Sequence, residues 1–500
     1  MGGEGIKRGV CAPARRQTGN SDGSLRRERS GNLMDSMNLL NRLSRLGRLI
    51  FILLIFSAPS MASADMGDIL SRFQFYGTVQ EIFDTNVLLA PNRDKKDDYI
   101  TNVSLGLRFS TLPKSETTGE FQPPPSPLFE TLSGLEPASP AAGTRYGIYL
   151  DILPSYVFYA RGTSDNYVGL NGNMDAWYTW DKRLTFRVKD YSIRSEEPLE
   201  QNYSSSALPG QVLLGSQRGT PIYFRNVAQP SVEYQFGKED VISVSYLNNV
   251  YRNTENSLFE DSTENSIDAK VTYWFNIRHG VSLEYALDLG DFQRSPDMTS
   301  NLGRGRYIYR FDPSTSVFAE YTFQSREFQR QISISALNYD IHVPAAGFEH
   351  AFSPTLSLIA KFGYFLQVVP KGSNEAGPVY DIVIKQRTQK TTYTLGFQGG
   401  YIEDYFTAQN LGFAKYNQVI GTITHQLMER FTVTISGRYQ RPKFNNGRLD
   451  NIWGATTEAS YRILKWLTIG PEFSYIGDHS NQDAAKYTDF RGLFRVTATY

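Results

Sequence analysis

The sequence predicts an all-β protein, a closed antiparallel transmembrane β-barrel of the outer membrane with about 20 strands and 18 as the alternative count. Three observations favour this fold. Apolar and polar residues alternate in short segments along most of the chain, and tight turns recur at intervals of roughly 35 to 40 residues. The chain also ends inside its last predicted strand, on the aromatic residue Tyr500. Strands of about ten residues, joined by short turns at one end and longer loops at the other, are typical of such barrels.

The first 64 residues predict a leader that contains a secretory signal peptide. Three arginines between positions 42 and 48 precede the apolar run 49–56, and Ala62-Ser63-Ala64 has the small-x-small pattern of a cleavage site. We place the cut after Ala64. The run is shorter than the roughly 20 apolar residues of a spanning helix, so an anchor helix is the less favoured alternative. The long polar segment before it predicts that translation starts at Met34 or Met37.

The composition beyond Ala64 sets limits on fold and partners. The leader holds 10 of the 51 basic and 4 of the 51 acidic residues, which leaves 41 basic and 47 acidic residues and a net charge of −6. Such a chain has no electrostatic reason to bind nucleic acid. The single cysteine, Cys11, lies in the leader, so no disulfide framework is available. We predict one barrel domain over residues 65–500.

The first and last predicted strands show the alternation clearly. Residues 73–83 alternate apolar and polar positions, a polar tip covers 84–98, and residues 103–109 alternate again on the way back. Counting back from Tyr500, every second residue through Phe494 to Phe490 is apolar or neutral, and the residues between include Arg491 and Arg495. Leu493 is the one exception. One face of each strand is therefore apolar and the other polar, as expected between lipid and an aqueous lumen.

Eight tight turns follow along the chain, and a Pro-rich connection near the N-terminus makes nine, which gives twenty strands. The tight turns are at 181–183, 237–240, 277–280, 312–315, 353–355, 388–390, 428–430 and 464–466. A soluble β-propeller has repeats of similar length, but its strands are shorter and its blade motifs are missing from this sequence.

Two connections are longer than the rest. The Pro-rich insertion 111–143 cannot pair as a strand, and its parity places it on the periplasmic side. A disordered linker is the favoured reading, and a small helix through Leu128 to Leu135 is the alternative. The loop 196–221 lies on the outer side, where it is either a constriction folded into the lumen or a surface loop.

Candidate catalytic and metal sites are scarce. The five histidines, at positions 279, 342, 350, 425 and 479, lack the spacing of a metal pair, and three of them lie near predicted periplasmic turns. No specific Ser-His pair stands out. We therefore predict no catalytic residue, no metal and no cofactor, and an outer-membrane lipid-modifying enzyme is a distant alternative.

The polar face of the strands carries both signs of charge, as a water-filled lumen would allow. The lumen candidates are Arg187, Lys189, Arg306, Arg310, Glu320, Arg438, Glu458, Arg462, Glu472, Arg491 and Arg495. Near the closing strand, Arg438, Arg462, Arg491 and Arg495 form either a substrate-facing track or a salt-bridge ladder with Glu458 and Glu472. Tyr149, Tyr159, Trp177 and Tyr191 are predicted on the same face, where they either stack on sugar rings or pack.

The first hairpin, EIFDTNVLL at 81–89 followed by DYITNVSLGL at 98–107, resembles the N-terminal signature of the family named "putative β-barrel porin 2". Members of that family typically read Asp-x-Asn-Val/Ile, a polar loop, and Asp-x-Ile-x-x-Val-x-Pro-Gly-Leu. The matching positions are Asp84, Asn86, Asp98 and Gly106, and Leu105 replaces the common proline. The resemblance implies no catalytic or ligand residue, so Asp84, Asn86 and Asp98 are expected to fix the loop at the barrel rim.

The same resemblance implies a function, because such proteins are often encoded with exopolysaccharide or capsule synthesis machinery. It implies a channel that takes part in exopolysaccharide export, and a general diffusion porin is the alternative. Expected partners are outer-membrane lipid and lipopolysaccharide, the barrel-assembly machinery, the exported polysaccharide itself, and export components in the periplasm. TonB-dependent transport is not expected, because about ten residues between Ala64 and the first strand leave no room for a plug domain.

Overall fold

The computed structural model describes residues 71–112, 145–196, 222–254, 260–329, 338–370, 372–406 and 411–500. These residues form one antiparallel sheet in which each strand pairs with the next, and β21 pairs with β1 to close the barrel. Twenty strands make up the wall, and the two-residue strand β18 lies in a loop. The predicted fold class and strand number are confirmed.

The strands have the following bounds: β1 Phe73–Asp84, β2 Asp98–Ser110, β3 Tyr146–Tyr159, β4 Tyr167–Trp180, β5 Leu184–Ser195, β6 Tyr223–Gln235, β7 Val241–Asn253, β8 Ser262–Trp274, β9 His279–Phe292, β10 Met298–Asp312, β11 Thr315–Phe328, β12 Tyr339–Ser353, β13 Leu356–Val368, β14 Glu375–Arg387, β15 Thr391–Asp404, β16 Gly412–Met428, β17 Phe431–Gln440, β18 Lys443–Phe444, β19 Ile452–Leu464, β20 Leu467–Asp478 and β21 Tyr487–Thr499. A short 3₁₀ helix, Asp483–Ala485, precedes β21. The described residues contain no helix long and apolar enough to cross a membrane.

The two ends of the barrel differ, and we call them the short-turn end and the long-loop end. All eight predicted tight turns lie at the short-turn end, between an even-numbered strand and its successor up to β17 and between β19 and β20. The β4–β5 turn contains Asp181 and Lys182 at φ 47° and 60°, the left-handed pair that suits the twist of a two-residue hairpin turn. The predicted leader and most of the connections 111–143 and 196–221 lie outside the described residues.

The two faces of the wall follow the alternation in the sequence. Phe75, Leu105 and Phe473 point outward with 61%, 72% and 53% of their surface exposed, as lipid-facing side chains do in a barrel. Leu493, the exception in the last strand, faces the lumen and packs against the cluster that contains Ile82. Polar residues on that face therefore give way to apolar ones where the lumen is filled by packed side chains.

The closing strand is joined to β1 along most of its length. Register pairs run from Tyr76 with Thr499 to Asp84 with Arg491, and the backbone N–H of Tyr500 donates to the carbonyl of Phe75 at 2.7 Å. The Tyr500 ring stacks on Trp466 with the centroids 6.2 Å apart. In this strand Phe494 points outward between inward-facing neighbours. Because β21 pairs with β20 on one side and with β1 on the other, it closes the sheet and leaves no free edge.

A closed barrel with an apolar outer face should stay folded in mild detergent until it is heated. We expect the purified protein to show β-rich circular dichroism and to run faster on a gel before boiling than after it, because closed sheets unfold cooperatively. A protein that remained soluble and monodisperse without detergent would contradict the assignment of the apolar face to lipid.

Candidate functional site

The lumen is the candidate site, and strand register places all eleven predicted charge candidates on its inner face. These are Arg187, Lys189, Arg306, Arg310, Glu320, Arg438, Glu458, Arg462, Glu472, Arg491 and Arg495. The structure divides them into two groups. Those on β5 to β14 take part mainly in ion pairs between wall strands, and those on β17 to β21 lie near the seam where the barrel closes.

Opposite charges neutralise one another on the wall from β9 to β13. Arg304 donates to Glu284 at 3.2 Å, and Arg306 donates to Glu320 at 2.8 Å. Lys361 lies 3.7 Å from the other oxygen of Glu320. Each partner comes from a neighbouring strand or the next but one, so the pairs run around the wall as a belt. These ion pairs, which we call the belt, place fixed dipoles on the wall of the lumen but add little net charge to it.

Further pairs involve residues that the sequence reasoning did not select. Arg108 on β2 donates to Asp151 on β3 at 2.9 Å, and Arg187 pairs with the buried Asp175 on β4. Arg108 could have been found from the sequence, because it alternates with the outward-facing Phe109. At the short-turn end Arg310 donates to Glu239 at 2.9 and 3.3 Å, and this contact lowers the pKa of the Glu239 carboxyl in the β6–β7 turn.

The seam side of the lumen contains two adjoining cavities. The upper cavity, nearer the long-loop end, has a volume of about 360 Å³ and lies between β1 to β5 and β21. The lower cavity, nearer the short-turn end, has a volume of about 380 Å³ and lies between β1, β2, β17 and β19 to β21. Thr78 and Arg495 line both cavities. The two spaces therefore follow one another along the seam, and we call them together the seam path.

The lining of the seam path combines arginines with hydroxyl and amide groups. The upper cavity is lined by Arg491 and Arg495 with polar residues that include Gln80, Asn102 and Ser155. The lower cavity is lined by four arginines, Arg108, Arg430, Arg462 and Arg495, and by two glutamates, Glu429 and Glu458. Its hydroxyl groups belong to Tyr76, Thr432, Ser460, Thr468, Thr497 and Thr499. Four arginines against two glutamates give the lining of the lower cavity an excess of arginines, one of which, Arg108, pairs with Asp151. Arg438 lies outside both cavities, so three of the four predicted track arginines line the path.

Arg491 and Arg495 on the closing strand lie farther from their carboxylate partners than Arg304 and Arg306 of the belt do. Arg495 lies 3.6 Å from Glu458 and 3.8 Å from Glu472, and Arg491 lies 4.0 Å from Asp84. These distances exceed the 2.7–3.2 Å of a normal N–H···O hydrogen bond. The Arg495 guanidinium is thus attracted to two carboxylates without a close ion pair to either, and it can engage an anionic group in the lumen.

The predicted lumenal aromatics lie on the inner face, but most are closely packed. Tyr149 is 2%, Trp177 6% and Tyr159 8% exposed. The Tyr149 hydroxyl donates to Asp151 at 3.2 Å, and the Trp177 ring covers Gly147 on the facing strand. The packing alternative therefore describes them better than free stacking surfaces do.

Three residues of the first-hairpin signature, Asp84, Asn86 and Asp98, lie at the rim of the long-loop end. Asn86 is fully buried, its amide donates to the carbonyls of Ala90 at 2.9 Å and Thr488 at 3.2 Å, and its oxygen accepts from the Ala90 N–H at 2.9 Å. Asp84 accepts from the Asn86 N–H at 2.8 Å. The fourth signature residue, Gly106, lies farther along β2 opposite Tyr76, and a side chain there would displace the Tyr76 ring, which lies 2.1 Å from the position of a Cβ.

Asp98 holds a second loop to the same rim. Its carboxylate accepts from the N–H groups of Tyr99 at 2.7 Å, Arg161 at 2.8 Å and Thr163 at 3.1 Å, and from the Thr163 hydroxyl. The side chain is fully buried. Because Arg161 and Thr163 belong to the β3–β4 loop, Asp98 joins that loop to the base of the β1–β2 loop.

The histidines make local contacts at strand ends. His279 bonds to Tyr307 at 2.5 Å, His350 to Thr315 at 2.9 Å and His425 to Thr391 at 2.7 Å, all at the short-turn end. Across the described ranges, no group of three or more His, Cys, Asp or Glu side chains could hold a metal ion. These contacts give the three histidines a structural role at the strand ends of the short-turn end.

Comparison with known proteins adds a match to a family of channels. The model of the family described as "Putative beta-barrel porin 2" matches residues 293–500. The chain is a porin-like β-barrel of the outer membrane. The predicted resemblance to this family is confirmed over the matched residues, which lie beyond the hairpin that suggested it. The match favours a channel over an enzyme.

The porin-like barrel also resembles solved structures in fold. OccAB4 from Acinetobacter baumannii is 10% identical with a TM-score of 0.39, over 86% of this chain and 98% of that one. OprD from Pseudomonas aeruginosa is 8% identical with a TM-score of 0.34, over 86% and 95%. The siderophore receptor PirA from Acinetobacter baumannii is 9% identical with a TM-score of 0.45, over 85% and 80%. No curated protein matches the sequence.

In the porin-like barrel the short-turn end is periplasmic and the long-loop end extracellular, as is usual for this class. At the extracellular end the hairpin of β15 and β16 leaves the wall. We call residues 399–406 and 411–416 the inward hairpin. Pairing between β14 and β15 ends at Tyr380 with Gly399, whereas β15 and β16 stay paired as far as Asp404 with Gly412.

Contacts of the inward hairpin show that it lies inside the lumen. Glu403 accepts from Arg326 on β11 at 2.8 Å, and Phe406 stacks on Phe292 at the end of β9 with the ring centroids 5.3 Å apart. Neighbouring strands lie about 4.8 Å apart, so the wall distance from β15 is about 19 Å to β11 and about 29 Å to β9. A side chain cannot span such a distance along the wall, and the hairpin must cross the lumen. Sequence reasoning missed the inward hairpin.

Proposed function

We propose that the porin-like barrel is a channel for the export of an acidic exopolysaccharide across the outer membrane. The observation that carries the proposal is the seam path, a run of two cavities with an excess of arginines among many hydroxyl and amide groups. A hydrated sugar chain offers hydroxyls along its length, and uronate or similar groups supply the negative charge.

The weak pairing of Arg495, which lines both cavities, supports this use. A conduit must hold its cargo favourably enough to admit it and weakly enough to release it, which many modest contacts achieve better than one strong site. Arg495 lies 3.6 and 3.8 Å from its two glutamates, so an anionic sugar can take over part of its interaction at little cost. Periplasmic export components would deliver the chain at the short-turn end.

A general diffusion porin is the second candidate, and the charge belt favours it. Pairs such as Arg306 with Glu320 and Arg304 with Glu284 neutralise one another, which leaves that side of the lumen polar without a strong preference for either sign of charge. Small solutes of both signs would pass such a wall.

Deletion of the gene separates the two candidates. The export proposal predicts that a clean deletion strain loses extracellular polysaccharide, with the polymer retained in the periplasm, and that a plasmid copy restores secretion. The measurement is uronic acid and total sugar in the medium and in periplasmic extracts. Normal secretion together with slower uptake of small solutes would reject export and support the diffusion porin.

A further inference from the structure

We infer that the inward hairpin is the size-selecting constriction of the channel, a gate hinged at Gly399–Gly400 and held by the ion pair of Arg326 with Glu403. The inference rests on the chain being a channel, but not on the identity of what it exports. It concerns only residues 399–406 and 411–416 and the wall that they contact.

The hinge is marked by two consecutive glycines at the point where β15 leaves β14. Gly400 has φ +149°, a conformation that residues with side chains rarely adopt. At Gly399 a Cβ would lie 2.4 Å from the ring of Tyr380 on β14, so a side chain there would displace that ring. The backbone therefore bends inward only because both positions lack a side chain.

The latch is a bidentate ion pair buried in the lumen. Arg326 is 1% exposed and donates to both carboxylate oxygens of Glu403, at 3.2 Å through Nε and 2.8 Å through Nη2. Gln324 donates to the same carboxylate at 3.0 Å, and the hydroxyl of Tyr339 donates to it as well. Four donors from β11 and β12 thus converge on one side chain of the hairpin.

The remaining groups that face the latch are few and polar. Asp288 on β9 lies 3.5 Å from Arg326, and the Tyr405 hydroxyl lies 2.7 Å from that of Tyr339. A buried ion pair adds little net stability, because the cost of removing both ions from water offsets much of their attraction. Losing one partner, in contrast, strongly favours release of the other to water. Such a pair suits a contact that must form and break.

Aromatic packing holds the tip of the inward hairpin on both of its sides. Phe406 rests over Gly290 and Phe292, where a Cβ on Gly290 would lie 3.0 Å from the Phe406 ring. On the other side Ile402 and its neighbours pack against Phe444 of β18. Ala414 and Lys415 at the base of the hairpin also pair with β18, which lies in a loop and not in the wall. The tip can therefore detach while the 20-stranded sheet stays closed.

A reversible covalent latch tests the gate directly. The double variant R326C/E403C removes the ion pair and supplies two thiols, and beyond the leader the chain contains no other cysteine. Before crosslinking, we expect single-channel conductance in planar bilayers to rise by roughly a factor of two, because a wider constriction passes more hydrated ions. A short disulfide-forming bifunctional thiol reagent should return it to the wild-type level, and reductant should raise it again.

A matched control uses an ion pair that joins two wall strands. D175C/R187C removes the pair between β4 and β5, and the same reagent and reductant should leave its conductance unchanged. F406A loosens the tip without touching the latch, and we expect it to increase opening events. Heat-modifiable migration on gels checks that each variant is folded.

Conductance of R326C/E403C that is the same before and after crosslinking would overturn the gate and make the hairpin a fixed part of the wall. Silence of the wild type and of all opened variants would also overturn it. Failure of export in the deletion assay, with crosslink-dependent conductance intact, would reject the polysaccharide proposal alone.

Discussion

Replacing Arg430, Arg462 and Arg495 together with serine should lower the export of an acidic exopolysaccharide by about tenfold. The three guanidinium groups line the lower cavity of the seam path. An exposed ion pair contributes about 0.5 kcal/mol, so the loss of three such contacts amounts to about 1.5 kcal/mol. That free energy corresponds to roughly a factor of ten in an equilibrium constant. Extracellular uronic acid per cell is the quantity to measure.

The control for this variant must remove the same charge from a different part of the lumen. Arg310, Lys361 and Lys385 lie on β10, β13 and β14, and their joint replacement with serine removes three positive charges away from the seam. Export should fall far less in this control than in the seam variant. Equal losses in both would show that overall lumenal charge, and not the seam path, governs transport. Heat-modifiable migration should be normal in both, because the lipid-facing side chains are untouched.

Single replacements sharpen the same prediction. A conduit that holds its cargo at many points should lose only about twofold in export when Arg462 or Arg495 alone is changed, since one contact contributes about 0.5 kcal/mol. A specific binding site would behave differently, because one of its residues would account for most of the loss. The ratio between single and triple variants therefore distinguishes a distributed path from a discrete site.

The wall of the barrel could be predicted from the sequence because its signals are local. Alternation with period two assigns each residue to a face without knowledge of its distant neighbours. The β4–β5 turn, with Asp181 and Lys182 at positive φ, carries its own short polar signature. Leu493 broke the pattern, and its reason is not local: it packs in the lumen against a cluster that includes Ile82 and Val157, which are more than 300 positions away.

The inward hairpin could not be predicted in the same way. Tyr401, Tyr405 and Phe406 are indistinguishable in type from the aromatic residues of a lipid-facing girdle. Arg326, the partner of Glu403, and Phe292, the partner of Phe406, are 77 or more positions earlier in the chain, and nothing in the alternation relates the two segments. The one available signal was the Gly399-Gly400 pair just after the alternating segment 393–397, because consecutive glycines indicate a bend or a close approach of the backbone. The sequence offered the loop 196–221 as either a constriction or a surface loop, and most of that loop lies outside the described residues.

Pairing between charges was similarly beyond the sequence. Alternation selects the lumenal face for Arg306 and for Arg495, but it does not set how near each guanidinium comes to a carboxylate. Arg306 bonds to Glu320 at 2.8 Å, whereas Arg495 stays 3.6 Å from Glu458. The difference between a neutral belt and a usable seam path depends on that distance, which follows from strand stagger and the three-dimensional packing of the lumen.

Replacing Asp98 with alanine should loosen the extracellular rim more than any other single change at a polar residue of the first hairpin. The carboxylate accepts three backbone N–H groups and one hydroxyl, and hydrogen bonds to a charged group contribute about 1.5–3 kcal/mol each. Water will replace part of them, so we expect a net loss of about 3 kcal/mol. The unfolding midpoint of the heat-modifiable transition should fall, and trypsin should cleave faster at Arg93, Lys95 and Lys96 in the β1–β2 loop.

Asp97 provides the matched control, since it is the preceding residue and its removal changes the charge equally. Its side chain is 49% exposed and pairs with Arg161 at the surface. Exposed ion pairs contribute about 0–1 kcal/mol, so D97A should unfold and be cleaved nearly as the wild type is. The isosteric variant D98N keeps the shape but loses the charge and one acceptor oxygen, and it should fall between D98A and the wild type. A D98A protein as stable as D97A would show that the rim is held by the Asn86 contacts alone, and that Asp98 is dispensable despite its burial.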